Sequence, residues 1–315
     1  MRRIRSKVNS LRKDSVLANS FWLMVNTVVL TGMGFLFWTI VARYYDESSV
    51  GLASTLISAL NLIVAVSGLG LGVAIIRFIR NSAEPNKNLN TVFLVSTLLA
   101  IAISSVFVLF IGIFSPKLGF LQHNLYYGIL FIIGVVSTLI FGFLDSVFLS
   151  YDKPYLTVIK SAIFSLIKLV LPPFLIIFGV SGIFGSWVLG TLAGVGYGIV
   201  MLVRKKLYTP KLEIHENILI EILPFSFGNY LSNLVKLLPT LVFPLIITET
   251  INPQSTAYYY TALMIAGLLY IIPNATSNAL LSEGSKNPDS YKNSEKKAMA
   301  LSALLLIPSV IVMLV

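Results

Sequence analysis

Two lysines lie in the middle of long apolar segments, and each shares a helix face with smaller polar residues. A spacing of i, i+4 and i+7 places three residues on one side of a helix. The two rows are Ser161, Ser165 and Lys168, and Asn229, Asn233 and Lys236. A charge at the centre of a bilayer costs about 2.5–3.5 kcal/mol on insertion scales, so each lysine is expected to face a cavity or a partner. There its ammonium group would bind an anion such as phosphate, and the hydroxyls and amides would hydrogen-bond the hydroxyls of a ligand.

Two further amides extend the set of candidate binding residues. Asn61 follows Ser54 and Ser58 at helical spacing, and Asn26 stands alone in the first apolar segment. A second interpretation applies to all of these polar residues. Lysines can reach the membrane surface along their apolar stems, and hydroxyls and amides can link neighbouring helices. The sequence leaves both interpretations open.

Two carboxylates are candidates for binding a coupling ion. Asp145 lies near the end of the fourth apolar segment, where it would either pair with Lys153 or Lys160 or bind a cation. Glu249 lies near the end of the seventh apolar segment. Because both carboxylates stand near helix ends, ordinary solvation at the membrane surface is the alternative.

The chain that positions these residues is too apolar for a soluble protein. Of its 315 residues, 56% are hydrophobic and 11% are charged, whereas soluble domains carry about 25% charged residues. Gly68, Gly70 and Gly72 in the second apolar segment predict a bend or a close helix contact. Nine segments are long enough to cross a bilayer as helices, at residues 20–42, 50–76, 91–114, 125–148, 156–178, 181–203, 221–247, 256–280 and 297–315. The sequence therefore predicts an all-α, multi-pass protein of the cell membrane.

Lysine and arginine are distributed unevenly between the two ends of the predicted helices. Nineteen of the 23 basic residues, Lys153 and Lys160 among them, fall on the side of the N-terminus, and only Arg43 and Lys117 fall on the other. Cytoplasmic segments collect basic residues, so the N-terminus is predicted to be cytoplasmic. This pattern accounts for the net charge of +10 without a nucleic-acid partner. The chain has no cysteine and two histidines in predicted loops, which argues against a metal centre, and no cofactor is predicted.

The connections between the predicted helices are short, and none could hold a soluble catalytic domain, which argues against an enzyme. The most polar connection divides the chain into a six-helix lobe at 1–203, a linker at 204–220 and a second lobe at 221–315. The start of the second lobe weakly echoes the start of the first, as in a parallel repeat. Because the last apolar run continues to Val315, we expect an incomplete second lobe with three of its helices present.

Two stretches of the chain resemble a known family. One comprises residues 34–45 (GFLFWTIVARYY), 50–53 (VGLA) and 68–72 (GLGLG), and the other runs from 223–226 (LPFS) to 252–259 (NPQSTAYY). Both are similar to the polysaccharide-biosynthesis membrane proteins of the O-antigen flippase type. That family belongs to the multidrug/oligosaccharidyl-lipid/polysaccharide exporter superfamily, which also contains the multidrug-and-toxin extruders and the lipid II flippase.

The resemblance implies two six-helix lobes that face each other around a central cavity. It implies flipping of an oligosaccharide, joined by phosphate or diphosphate to a polyprenol, from the cytoplasmic to the outer leaflet. Other polysaccharide-assembly membrane proteins are then expected partners. Phe37 and Trp38 stand where the lipid II flippase branch has an arginine and an aspartate, which argues against a peptidoglycan precursor as the substrate.

Other classes of membrane protein account for the residues less well. A cation-coupled multidrug exporter of the same fold is the main alternative, but it would need a carboxylate deep in a lobe. A membrane-bound glycosyl polymerase or ligase would need carboxylates, or Arg and His clusters, in sizeable outer loops, which this chain lacks. A purely structural subunit leaves the two mid-membrane lysines unexplained.

Overall fold

The computed structural model describes residues 2–79 and 82–284, and within these ranges the chain is helical, without strands. The helices are α1 (Arg2–Tyr44), α2 (Glu47–Gly68), α3 (Leu71–Ile79), α4 (Pro85–Phe114), α5 (Phe120–His123), α6 (Leu125–Ser150), α7 (Pro154–Val170), α8 (Val180–Arg204), α9 (Glu216–Thr250) and α10 (Pro253–Gly284). The chain forms two compact units, Met1–Tyr260 and Thr261–Val315. Helices α1 to α9 and the start of α10 belong to the first unit. The predicted lobe boundaries at 1–203, 204–220 and 221–315 stay a prediction.

Six of the described helices are long and apolar enough to cross a membrane. They are Phe21–Tyr44, Glu47–Gly68, Pro85–Ile113, Leu125–Ser150, Pro154–Phe174 and Val180–Arg204. Helices α9 and α10 overlap the seventh and eighth predicted spans, and the ninth, at 297–315, lies outside the described residues. The predicted all-α, multi-pass architecture is confirmed.

The boundaries of several helices differ from the prediction. Helix α1 continues back to Arg2, although the sequence predicted a polar tail before residue 20. The fifth predicted span, 156–178, is a helix only to Val170 and continues as two short 3-10 turns from Pro172 to Phe178, because two consecutive prolines remove backbone donors. Lys160 was assigned to the cytoplasmic side by the charge count, yet it lies inside α7 and is fully buried.

The second predicted span, 50–76, is broken into α2 and α3 at Leu69 and Gly70. Both residues have positive φ, of 47° and 69°, and the N–H of Leu69 bonds to the carbonyl of Val66. Glycine is needed at position 70 for a second reason: a Cβ there would lie 2.9 Å from the carbonyl oxygen of Ser226 and from Cβ of Tyr230, both on α9. The expected bend at the glycine run is therefore a helix break over which α9 packs.

Helix starts follow local chemistry. Asp46 caps α2, and its carboxylate accepts a hydrogen bond from the N–H of Ser49 at 2.8 Å. Pro85, Pro154 and Pro253 occupy the first positions of α4, α7 and α10, where a proline ring is preorganised and its missing N–H has no consequence. These residues fix where the chain turns at the ends of the bundle.

Helix α8 packs closely because one of its faces carries almost no side chains. Gly190, Gly194 and Gly198 recur every four residues on this face. A Cβ on Gly190 would lie 2.8 Å from the carbonyl oxygen of Phe164 on α7, and one on Gly194 would lie 2.6 Å from the ring of Phe141 on α6. Small residues at this spacing let membrane helices approach each other. The stripe therefore holds α6, α7 and α8 together as the frame of the first unit.

The end of α9 is joined to α2 by small polar side chains. The hydroxyl of Thr248 lies 2.5 Å from that of Thr55 on α2 and 2.7 Å from that of Thr256 on α10. Gly51 lies so close to the start of α10 that an added Cβ would overlap the carbonyl of Pro253. These contacts bind α9 and the first turns of α10 to α2.

We predict that Gly194→Val destabilises the protein, because the added side chain must displace the ring of Phe141. Overpacking of this kind typically costs about 1–3 kcal/mol. The measurement is the midpoint of thermal unfolding in detergent. Gly196→Val is the matched control, because a Cβ on Gly196 meets nothing within 4 Å. Equal midpoints for the two variants would contradict the close packing of α8.

Candidate functional site

Lys168 is enclosed by aromatic rings inside the first unit. Its Nζ lies 4.4 Å from the ring centroid of Phe164, 4.6 Å from that of Trp187 and 5.4 Å from that of Phe37. The side chain is buried, with 2% of its surface exposed. A cation over the faces of aromatic rings is stabilised by their quadrupoles, most strongly where water is excluded. The rings thus provide the partner that a buried ammonium group requires.

Three helices build this enclosure. Helix α7 contributes Lys168 and Phe164, α1 contributes Phe37, and α8 contributes Trp187, because α7 packs against both α1 and α8. Lys168 stands in the last turn of α7, where a positive charge is favoured by the helix dipole. Just beyond it, Tyr45 donates a hydrogen bond to the carbonyl of Pro172 at 2.8 Å, which fixes the end of α7 against the end of α1.

Several polar atoms near this row are buried without a hydrogen-bond partner in the described part of the chain. They are the hydroxyls of Ser161 and Ser165, the indole N–H of Trp187 and the amide oxygen of Asn26. Ser161 and Ser165 share the α7 face that carries Lys168, as the spacing predicted. Unpartnered polar atoms in a protein interior are costly, and those found in native structures commonly mark a place for water, an ion or a ligand. The interior between α1, α7 and α8 therefore holds a buried lysine together with unpartnered polar atoms.

Asp145 pairs with Lys160, one of the two lysines between which the sequence left the choice open. The Nζ of Lys160 lies 2.7 Å from Oδ1 of Asp145 and 3.3 Å from the ring centroid of Phe141. The ammonium group also donates to the carbonyl oxygen of Phe141. Lys160 is fully buried and Asp145 is one-third exposed. The pair links α6 to α7, and a role of Asp145 in ion coupling stays a prediction.

Glu249 lies in a cluster at the end of α9. Its carboxylate accepts hydrogen bonds from the hydroxyl of Ser115 and from the N–H of Lys117, the latter at 3.3 Å. The ammonium group of Lys117 donates to the carbonyls of Thr248, Glu249 and Ile251, the last two at 3.2 Å. A lysine at the C-terminal end of a helix donates hydrogen bonds to the last carbonyls, and its charge interacts favourably with the helix dipole. These contacts cap α9 and give Glu249 a structural role, and its role in ion coupling stays a prediction.

The remaining candidates lie apart from Lys168. Lys236 is exposed on α9, and Asn229 and Asn233 precede it on the same helix. Helix α9 packs against α2 and α3, whereas Lys168 is enclosed by α1, α7 and α8. Asn61 on α2 donates to the carbonyl of Ile57 at 2.9 Å, a bond within its own helix. The structure therefore brings Lys168 together with Ser165 but does not bring it together with Lys236.

A cavity of about 250 Å³ opens beside the break between α2 and α3. It is lined mainly by apolar and glycine residues of α2, α6 and α9, among them Gly68, Gly70, Phe143, Tyr230 and Leu237. Leu237 adjoins Lys236 in the chain. This cavity therefore lies next to the row of Asn229, Asn233 and Lys236 on α9 (the α9 row). Across residues 2–79 and 82–284, the His, Asp and Glu side chains form no cluster of three or more that would hold a metal.

The sequence analysis missed the aromatic enclosure and the buried position of Lys160. Trp187 stands among glycines and serines on α8, and an isolated tryptophan in a helix of small residues was the available signal. Phe37 was singled out only because it stands where the lipid II flippase branch has a charged residue. Lys160 receives its partners from α6, and Lys168 receives Phe37 and Trp187 from α1 and α8, which spacing along a single helix does not reveal.

We predict that Lys160→Met is more destabilising alone than when combined with Asp145→Asn. The single change leaves the Asp145 carboxylate, which is one-third exposed, without its cation. Breaking a fully buried pair typically costs about 3–5 kcal/mol, and solvent at Asp145 lowers the expected loss below that range. Thermal unfolding midpoints of the two single variants and the double variant form a double-mutant cycle. Additive losses across the cycle would show that the two groups are not coupled.

Comparison with known proteins gives a family and a fold. Residues 16–281 match the family model described as polysaccharide biosynthesis protein. No curated protein matches the chain.

Several solved structures are similar to this chain in fold. One is a MOP superfamily transporter from Pyrococcus furiosus, with 16% identity, a TM-score of 0.57 and coverage of 95% of this chain and 70% of its own. It is described as having a binding pocket of reverse polarity that suggests a different function. A Vibrio cholerae MATE transporter matches with 12% identity, a TM-score of 0.57 and coverage of 96% and 72%. An outward-facing multidrug resistance MATE transporter matches with 16% identity, a TM-score of 0.55 and coverage of 94% and 77%.

Proposed function

This chain belongs to the polysaccharide biosynthesis protein family, and from that premise we propose that it is a flippase for a lipid-linked oligosaccharide. The substrate is an oligosaccharide joined by phosphate or diphosphate to a polyprenol. The protein moves it from the cytoplasmic to the outer leaflet by alternating access. The membrane-spanning architecture and the MOP-superfamily fold provide the frame for such a function.

The main support for the proposal is that the side chain buried in the described part of the first unit without a countercharge is a lysine, which carries positive charge when protonated. Lys168 is enclosed by aromatic rings, and in the described residues no carboxylate forms an ion pair with it. The other buried lysine, Lys160, is neutralised by Asp145. A net positive interior in a medium of low dielectric attracts anions and repels cations over a long range. It therefore favours a phosphate-bearing substrate.

The α9 row supplies the direct contacts in this proposal. Lys236 is exposed and available to a ligand, unlike Lys168. A lysine binds phosphate as a compact point charge, and Asn229 and Asn233 on the same helix would hydrogen-bond sugar hydroxyls. Lys168 then acts mainly through its field, and its contact with the substrate requires the aromatic enclosure to open. Asn26, Asn61 and Ser165 are secondary candidates.

Transport of organic cations is the second candidate function, because two of the similar structures are MATE transporters, one of them described as a multidrug resistance protein. The buried positive charge opposes that function. The Pyrococcus furiosus transporter supports this reasoning, since its reverse pocket polarity is what suggests a different function for it.

Flipping also provides a reason for contact with other polysaccharide-assembly membrane proteins, which take up or deliver the same lipid.

We predict that Lys236→Ala lowers the initial rate of flipping at least about tenfold, which corresponds to a loss of about 1.4 kcal/mol. Lys168→Ala is expected to lower it less. The assay uses the full chain in liposomes with a fluorescent polyprenyl-diphosphate oligosaccharide. Lys87→Ala is the control, because Lys87 is a partly exposed residue of a surface ion pair with Glu84.

Normal flipping by the Lys168→Ala/Lys236→Ala double variant would contradict the role of the two cations. Uptake of organic cations, with no flipping by the folded wild-type protein, would favour the drug-exporter function. All variants are compared at equal amounts of inserted protein, so that a folding defect is not counted as a transport defect.

A further inference from the structure

A second cavity, of about 440 Å³, lies between α4, α6, α8 and the extended connection at residues 205–215. Its lining shares no residue with the Lys168 enclosure or with the cavity beside the break between α2 and α3. Most of its lining is apolar. The lining includes Asn90, Leu94 and Thr97 of α4, Leu144 of α6, Leu202 of α8 and Leu212 of the connection. The volume falls in the range of about 300–1,000 Å³ that is usual for small-molecule sites.

Asn90 places an unused donor at this cavity. Its side chain is buried, with 2% of its surface exposed. Its Oδ1 accepts a hydrogen bond from the N–H of Lys211 at 3.1 Å, whereas its Nδ2 has no partner among the residues that the structure describes. A buried amide donor without a partner is unfavourable, because it has lost its hydrogen bonds to water. A ligand with an acceptor oxygen would remove that cost.

The connection over the cavity is held in place by α4. The N–H groups of Thr209 and His215 donate to Asn86 and to the hydroxyl of Thr91, each at 3.1 Å. The ring of Tyr208 stacks on Phe93, with centroids 5.8 Å apart. Tyr208 also lines the cavity, and burial raises the pKa of its hydroxyl to about 12. The roof of the cavity is therefore a fixed part of the fold.

The surroundings of the cavity are those of a membrane surface. Helices α4, α6 and α8 are membrane-spanning, and the cavity extends from Asn90 to Thr97, roughly 10 Å along α4 at 1.5 Å per residue. Leu212 at the mouth of the cavity is 89% exposed, which is costly in water but favourable among acyl chains. Four adjoining exposed residues are basic: Arg204, Lys205, Lys206 and Lys211. Lys211 also lies 3.5 Å from the carboxylate of Glu213, so among the described residues the other three carry the unpaired charge of the connection.

We propose that this cavity binds one acyl chain of an anionic membrane phospholipid, with an ester or phosphate oxygen accepting the hydrogen bond of Asn90 Nδ2. The phosphate lies against the basic residues of the connection. Basic residues close to the membrane surface attract anionic lipid. A water-soluble ligand would not explain the apolar lining or the exposed leucine. The bound lipid fixes the connection to α4, whatever substrate the protein moves.

Asn90→Asp separates the two roles of the Asn90 side chain, which accepts the N–H of Lys211 and offers a free N–H donor. The aspartate keeps an oxygen that accepts the N–H of Lys211, but it removes the free donor and adds a negative charge. Because the carboxylate is buried, we expect the variant to be less stable than the wild type. Among the folded molecules we expect it to lose bound anionic lipid. Leu94→Trp fills the cavity and is expected to have the same effect. Leu98→Trp, on the exposed side of the same helix, is the matched control.

The first measurement is native mass spectrometry of the full chain purified from bilayers of equal phosphatidylglycerol and phosphatidylcholine. The expected result is one retained phosphatidylglycerol in the wild type and in Leu98→Trp, and at least about a fivefold loss in Asn90→Asp and Leu94→Trp. Equal retention of both lipids, or none in the wild type, would overturn the proposal. Polyprenyl phosphate that displaces phosphatidylglycerol from the site would overturn it as well, because the cavity would then belong to the substrate path.

A second measurement locates the lipid. The chain has no cysteine, so Thr97→Cys gives a single labelling site in the cavity. A fluorophore at this position should be quenched more by brominated phosphatidylglycerol than by brominated phosphatidylcholine at the same mole fraction. Quenching that does not depend on the headgroup would show that the label only senses bulk lipid, and the proposal would fail.

Discussion

The membrane interior offers no water to a buried charge or to a broken helix, so each must find its partner within the protein. Lys160 finds a carboxylate and a carbonyl, and Lys168 finds three aromatic rings. The break at Leu69 and Gly70 is covered by α9, and the end of α7 is fixed by Tyr45. For the two lysines, the glycines of α8 make this possible by letting α6, α7 and α8 approach closely. The close packing of α6, α7 and α8 is thus the condition for holding charge inside the unit.

Much of the fold could be predicted from the sequence because apolar length alone determines which segments cross a bilayer. The spans at 125–148 and 181–203 match α6 and α8 to within a few residues. The errors arose where a segment is apolar but not helical throughout. Pro172 ends α7 early, and Gly70 breaks the second span, although the sequence had indicated only a bend there. Hydropathy does not distinguish a continuous helix from two helices joined by a tight turn.

The candidate site was less predictable because it depends on contacts between helices. Spacing correctly placed Ser165 on the face of Lys168, since that relation is internal to α7. It could not show that Phe37 and Trp187 close over the ammonium group, or that Lys160 lies inside the protein beside Asp145. Counting charges treats a lysine near a helix end as exposed, and only tertiary structure shows that it is buried. The roles of Asn229, Asn233 and Lys236 depend on a ligand and stay predictions.

The central claim is that the positively charged interior selects an anionic lipid-linked sugar. The most direct measurement is equilibrium binding of a short-chain polyprenyl-diphosphate sugar to the full chain, compared with the same sugar on an uncharged polyprenyl linkage. The account predicts that the diphosphate binds at least about tenfold more tightly, a difference of about 1.4 kcal/mol, and that an organic cation does not compete with it. Equal affinity for the charged and uncharged compounds, or competition by the cation, would contradict the account.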